Sequence, residues 1–193
     1  MRTRIFALAF LLAPLAASAQ FGNPGFMAPE TQFNSAGVPA PNQSNATDKL
    51  FTQLFAEGGL AEVEFGELAS GRVQSDSVRE FARMMVADHT AANDGLADLA
   101  RDRRLILPER LNPEHVSKRA ELDALRGTDF DHAYMRAQVI DHQKAAELLL
   151  WELGSGQDAE LQRFAADTLP TVLAHLERAR QIVAELTQTA LER

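Results

Sequence analysis

The chain has five histidines and no cysteine. Thiol chemistry is therefore excluded: no disulfide, no cysteine-bound zinc, no iron–sulfur cluster and no thiol nucleophile. What remains for a transition metal is imidazole and carboxylate. Three histidines, His89, His142 and His175, and one glutamate, Glu62, stand out by position. Each falls near the centre of the apolar face of a different long amphipathic helix. If their side chains converge, three imidazoles and one carboxylate suit a single ion of zinc, iron, manganese or copper.

The positions follow from helical phase, which advances ~100° per residue. With Glu62 at zero, Phe51, Phe55, Gly58, Gly59, Phe65 and Gly66 fall within ~60° of it, while Glu64 and Glu67 fall opposite. Met85, Val86 and Leu96 flank His89 in the same way, as do Met135, Val139 and Leu149 around His142, and Val172, Ala179 and Ile182 around His175. His115 lies in a connection and His132 at a helix start, both off these faces. Depth is a second constraint. Glu62 and His89 differ by about one helical turn or less from their shared hairpin turn, whereas His142 and His175 mismatch by ~7 Å.

Asp88 and Asp141 each precede an inward histidine by one position, where a carboxylate can orient an imidazole on another helix or pair with arginine at the flank. Tyr134, the single tyrosine, flanks the inner face as a relay or as a hydrogen-bonded core residue. The same four inward residues also allow a bare Glu–His network, completed by Gln138, Thr168, Thr171 or Tyr134, that organises the core with no metal. Gly58, Gly59 and Gly66 would let a helix, or an apolar ligand in a groove, come close. No Glu-x-x-His occurs, so a carboxylate di-iron centre is unsupported. Nor is there a Gly-x-Ser-x-Gly nucleophile motif or a phosphate-cradling glycine loop.

The elements that must position these residues begin at about residue 47. Four long helices are expected. The first covers about 48–71. The second opens at a capping box, Ser77-Val78-Arg79-Glu80, and ends in the basic turn Arg101 to Arg104. The third runs from Thr128, with Asp131 as the acid of a variant box, to just before Gly154. The fourth covers about 158–190 and contains Pro170, a candidate kink. A crossover over about 104–127 carries a short helix opened by Asn112-Pro113. Two tight hairpins joined by a long crossover are the connectivity of a ferritin-like four-helix bundle, an all-α fold.

Upstream, Met1 to Gln20 reads as a secretory signal peptide with the cut expected after Ala19: a basic start, an apolar run of about a dozen residues, then Ala17-Ser18-Ala19. That run is too short to span a bilayer, and no later segment is a transmembrane candidate. Residues 20–46 hold four of the eight prolines among Gly, Asn, Gln and Ser, and read as a disordered tail. Phe21, Phe26, Met27 and Phe33 could dock an envelope protein partner there. Residues 47–193 form the bundle. The 27 acidic against 19 basic side chains, net charge −8, exclude nucleic-acid binding through bulk electrostatics.

Taken together, Gly59-Leu60-Ala61-Glu62-Val63 with Gly66, Met84-Met85-Val86-Ala87-Asp88-His89, Phe130-Asp131-His132-Ala133-Tyr134, Gln138 through His142, and Leu169-Pro170 with His175 resemble the bacterial domain-of-unknown-function family 4142 over about residues 48–186. The resemblance implies an exported, ferritin-like helical protein, with Glu62, His89, His142 and His175 as its inward polar residues and no established activity. Two functions stay open: a periplasmic or secreted metal-binding bundle in metal homeostasis or stress defence, and a non-enzymatic structural or interaction module of the cell envelope.

Overall fold

The computed structural model describes residues 43–192; the expected signal peptide and nearly all of the expected tail lie outside them. Five helices follow in order: α1 (Ala46–Ser70), α2 (Asp76–Arg103), α3 (Pro113–Asp123), α4 (Gly127–Ser155) and α5 (Ala159–Leu191). There is no strand among the described residues, so the fold is all-α. The helices α1 and α2 form one hairpin and α4 and α5 the other, with the short α3 in the crossover. Contacts α1–α4 and α2–α5 close the four long helices into a ring.

The helix ends are set by local chemistry. The Asn45 side chain accepts from the Asp48 N–H while Asp48 bonds back to the Asn45 N–H, a reciprocal box that satisfies two otherwise orphaned donors. Asn112 caps α3 by accepting from the His115 N–H at 2.8 Å, with Pro113 in the first turn. Pro170 is accommodated inside the 33-residue α5.

Two expected caps are placed differently. The Ser77 box is not formed; α2 starts two residues earlier, after Ser75, whose hydroxyl meets that of Ser77. Asp131 does not cap its own helix. It is fully buried and accepts from the Gln74 and Ser75 N–H groups at 3.1 and 2.8 Å. These amides in the α1–α2 turn have no helical partner, so a carboxylate from α4 satisfies them and ties the two hairpins together.

The opposite end uses the same device. Asp48 accepts from the Gln157 and Asp158 N–H groups in the α4–α5 turn. Asp158, itself the N-cap of α5, is held by Arg103 from the end of α2. Thus α1, α2 and the second hairpin turn meet at one end, and the first turn and the start of α4 at the other.

Between these ends the interior is two apolar clusters. One contains Phe65, Phe81, Met85, Phe130, Met135 and Ile182; the other contains Phe51, Phe55, Leu96, Leu149, Leu161 and Val172. On α2, α4 and α5 the inward histidine falls between the members of the two clusters, and on α1 Glu62 lies between Phe55 of the second and Phe65 of the first. The histidines and Glu62 therefore form a polar layer between two dry ones.

Candidate metal centre

The three inward histidines meet. One ring nitrogen from each of His89, His142 and His175 lies within 4.8 Å of the others. Ring centroids stand 5.4 Å apart for His89–His142, 5.8 Å for His89–His175 and 5.3 Å for His142–His175. All three residues are at least 94 % buried. The Phe81 ring lies edge-on against His142 and His175, closing the layer toward the first apolar cluster.

Hydrogen bonds assign the protons. His142 Nδ1 is 3.0 Å from the Gln138 carbonyl, one turn earlier on α4. A carbonyl only accepts, so Nδ1 carries the hydrogen and Nε2 keeps a lone pair. His175 Nε2 is 2.9 Å from Asp88 Oδ2, a carboxylate that only accepts, which makes Nε2 the donor and leaves Nδ1 as the nitrogen not engaged by Asp88. That Nδ1 is buried and has no hydrogen-bond partner. Burial holds His89 down to about 3, helped by the charges of His142 and His175. His142 is held down to about 4, again first by burial and then by His175. Both imidazoles are thus neutral at pH 7, as metal ligands must be.

The donor set passes a geometric test for a metal. His89 Nε2 and His142 Nε2 are 3.4 Å apart. Two nitrogens on a tetrahedral ion at ~2.0–2.1 Å would stand ~3.3 Å apart. The full trio is at most ~1.5 Å wider than a closed site, a gap that imidazole rotation covers. The Asp88–His175 pair repeats the carboxylate–histidine arrangement that fixes the tautomer of a ligating ring.

Glu62 does not join the three converging nitrogens. Counting from the α1–α2 turn, it sits about four to five residues, roughly one helical turn, nearer that turn than His89 does. Gln138 lies at the same level on α4, one turn before His142, and donates to Glu62 Oε2 at 2.6 Å. Glu62 Oε1 stands 3.9 Å from His142 Nδ1, beside the imidazole that the backbone already holds. Burial, reinforced by the charge of Asp141, pushes Glu62 up to about 8 against the Gln138 bond, so the carboxyl is protonated at pH 7. A cation nearby would reverse this.

Of the remaining residues, Tyr134 is fully buried, packs on Phe130 and Phe81, and its hydroxyl has no partner. Burial and then the charge of Glu62 hold its hydroxyl in the neutral form. Asp141 makes no hydrogen bond to the three rings and pairs loosely with Lys144. Thr168 and Thr171 make no bond to the cluster. The glycines divide. A Cβ on Gly59 would fall 1.9 Å from Asn93 Oδ1, and one on Gly66 would fall 2.9 Å from the Ala82 carbonyl, so both admit α2. Gly58 faces open space.

A second buried polar group, at the α4–α5 turn, is not evident from the phase argument centred on the histidines. Glu152 is fully buried, and neither of its oxygens has a donor. Burial, then the neighbouring carboxylates of Asp48 and Asp158, push it up to about 8. The available signal is Asp48 itself, which lies ~40° from Glu62 on the apolar face of α1.

The sequence matches a domain of unknown function, DUF4142, over residues 33–182. The chain belongs to this family. Among solved structures it is similar to a DUF305 fragment from Deinococcus radiodurans, with 16 % identity and a TM-score of 0.66, covering 74 % of this chain and 99 % of that one. It is also similar to a protein from Streptomyces coelicolor named a putative secreted DUF305 protein, with 13 % identity and a TM-score of 0.63, covering 73 % and 92 %. At this identity the likeness is one of fold, between two helical families. No curated protein matches the chain.

Proposed function

We propose that this DUF4142 protein is an exported, ferritin-like helical bundle that binds one transition-metal ion through His89, His142 and His175. The observation that carries this reading is the convergence of one ring nitrogen from each of three buried histidines within 4.8 Å, with the Nε2 atoms of His89 and His142 3.4 Å apart and His175 Nδ1 buried without a partner. A buried nitrogen with no hydrogen bond is costly, on the order of 1–3 kcal/mol, and a metal removes that cost. A set of three imidazoles suits zinc or copper best, with iron and manganese less favoured by a set lacking a direct carboxylate. Such an ion would bring positive charge and an open coordination position to a dry layer. Asp88 orients His175, and Glu62 stands by as a proton-bearing neighbour. Metal homeostasis or stress defence is the role this fits.

Export rests on the basic, apolar and Ala-x-Ala pattern of residues 1–19, with residues 20–46 as a tail and 47–193 as the bundle. No helix among the described residues is long and apolar enough to cross a membrane. The secreted description of the Streptomyces coelicolor neighbour agrees with export.

Elemental analysis of protein exported natively into a periplasm tests the metal. One equivalent of zinc, copper, iron or manganese is expected. Metal-free protein whose melting temperature does not respond to any of the four ions overturns the reading. The Gln138–Glu62 bond favours a second reading, in which the buried polar layer only sets helix register within a structural module of the envelope. Under that reading His89→Leu would be more stable and keep its biological role.

A further inference from the structure

A cavity of about 260 Å³ runs from the surface to the histidines, between α1, the crossover and α4. Exposed Glu114 and Lys144 stand at its mouth, while buried Glu62, His89 and His142 form its floor. Resting on the metal reading above, we propose that this cavity is the route by which a hydrated divalent cation enters the three-histidine site, with His115 as a transient ligand on the way.

Size, charge and chemistry each support the route. Six waters at ~30 Å³ each occupy roughly 180 Å³, so a hexa-aqua ion fits the space. The carboxylates of Glu57, Glu114 and Asp141 border it against the single cation Lys144, which favours positive ions. His115 is held over the cavity because Asn112 acts twice. Its carbonyl oxygen caps α3 at the His115 N–H, and its amide donates to Glu57 on α1 at 2.9 Å. His115 Nδ1 is buried and has no hydrogen-bond partner, so no protein group competes for it between mouth and floor. His89 and His142 border the cavity and His175 does not. The open side of an ion held by all three therefore faces the route by which it came.

Blocking the cavity tests this without touching a ligand. Gly58 borders it, and a Cβ there meets nothing within 4 Å, so Gly58→Leu can fill the space. Ala145→Leu blocks from the α4 wall and serves as an independent second variant. Apo full-length protein is mixed with cobalt(II) chloride, and the visible absorption of the bound ion gives both loading rate and equilibrium affinity. Each block is expected to slow loading by about tenfold or more at nearly unchanged affinity. His115→Gln should slow it several-fold, and added salt should slow the wild type. Wild-type loading rates in both blocked variants, with affinity intact, overturn the route and leave the metal site standing. A wild-type protein that takes up no cobalt overturns both.

Discussion

His89 and His142 come from different hairpins, yet their Nε2 atoms stand 3.4 Å apart in the centre of the molecule. The two rings cannot both be charged there without repelling each other. Nor can two acceptor lone pairs face each other stably. Either His89 donates to His142 or a cation sits between them, and the free Nδ1 of His175 favours the cation.

The first expected outcome is a melting temperature linked to metal. An ion present at 100 times its Kd adds ~2.7 kcal/mol to the folded state, which for a domain of this size is a rise of roughly 5–10 °C. His142→Ala and His175→Ala should each lose this rise while keeping the helical circular-dichroism spectrum. Differential scanning calorimetry with and without zinc is the check. A rise retained in both variants would place the ion elsewhere.

Asp88 should act through His175. Its side chain is 43 % exposed, so the pair contributes little to folding. Asp88→Asn removes the charge that fixes the His175 tautomer. Metal affinity is expected to fall ~10–100-fold with a nearly unchanged apo melting temperature. Competition titration against a chelator measures this, and an affinity equal to wild type would leave Asp88 a surface partner only.

Much of this arrangement is legible in the sequence, and the exceptions have physical causes. Helical phase places His89, His142 and His175 inward because a polar residue among Met85, Leu149 and Ile182 has nowhere else to face. Phase does not give depth. The expected ~7 Å mismatch between His142 and His175 shrinks because the turn lies between Ser155 and Ala159, and the rings reach across the remainder. Glu62 passes the same phase test, yet it meets Gln138 because α1 is offset by about a turn. Asp131 looks like a local cap in a linear reading. Only the docked hairpins reveal that its carboxylate serves the opposite turn, as that of Asp48 does at the other end.

Gly66 should be less replaceable than Gly59. Alanine normally gains ~1 kcal/mol over glycine inside a helix. At position 66 its Cβ would meet Val86 Cγ2 at 2.7 Å and the Ala82 carbonyl at 2.9 Å, and backbone must move. At position 59 only the end of the Asn93 side chain is in the way. Gly66→Ala is expected to destabilise by about 1–3 kcal/mol in urea unfolding, and Gly59→Ala by less. The reverse order would show that α1 and α2 do not approach as closely as described.

The buried imidazoles predict an acid limb in apo stability. His89 is lowered from 6.5 to about 3, so between these values the unfolded chain binds a proton that the native one refuses. Stability then falls as pH drops from 6.5 toward 3. In His89→Leu the drop between pH 6.5 and 4 should be smaller than in wild type, by urea unfolding of metal-free protein. An unchanged slope would assign the acid limb to other groups.

Glu152 predicts the opposite limb, far from the histidines. Its carboxyl is raised from 4.5 to about 8, so the native protein holds a proton that the unfolded chain has released. This contribution is full below pH 4.5 and is lost as pH rises toward 8. Above that, ionised Glu152 would face Asp48 in a buried turn with no donor of its own. Glu152→Gln keeps a neutral side chain beside Asp48 and cannot ionise. It is expected to be close to wild type at pH 5 and more stable at pH 8, by on the order of 1–3 kcal/mol. A variant equally destabilised at both values would mean that the amide does not fit beside Gly156. A wild-type slope retained between pH 5 and 8 would mean that Glu152 is not the group that titrates.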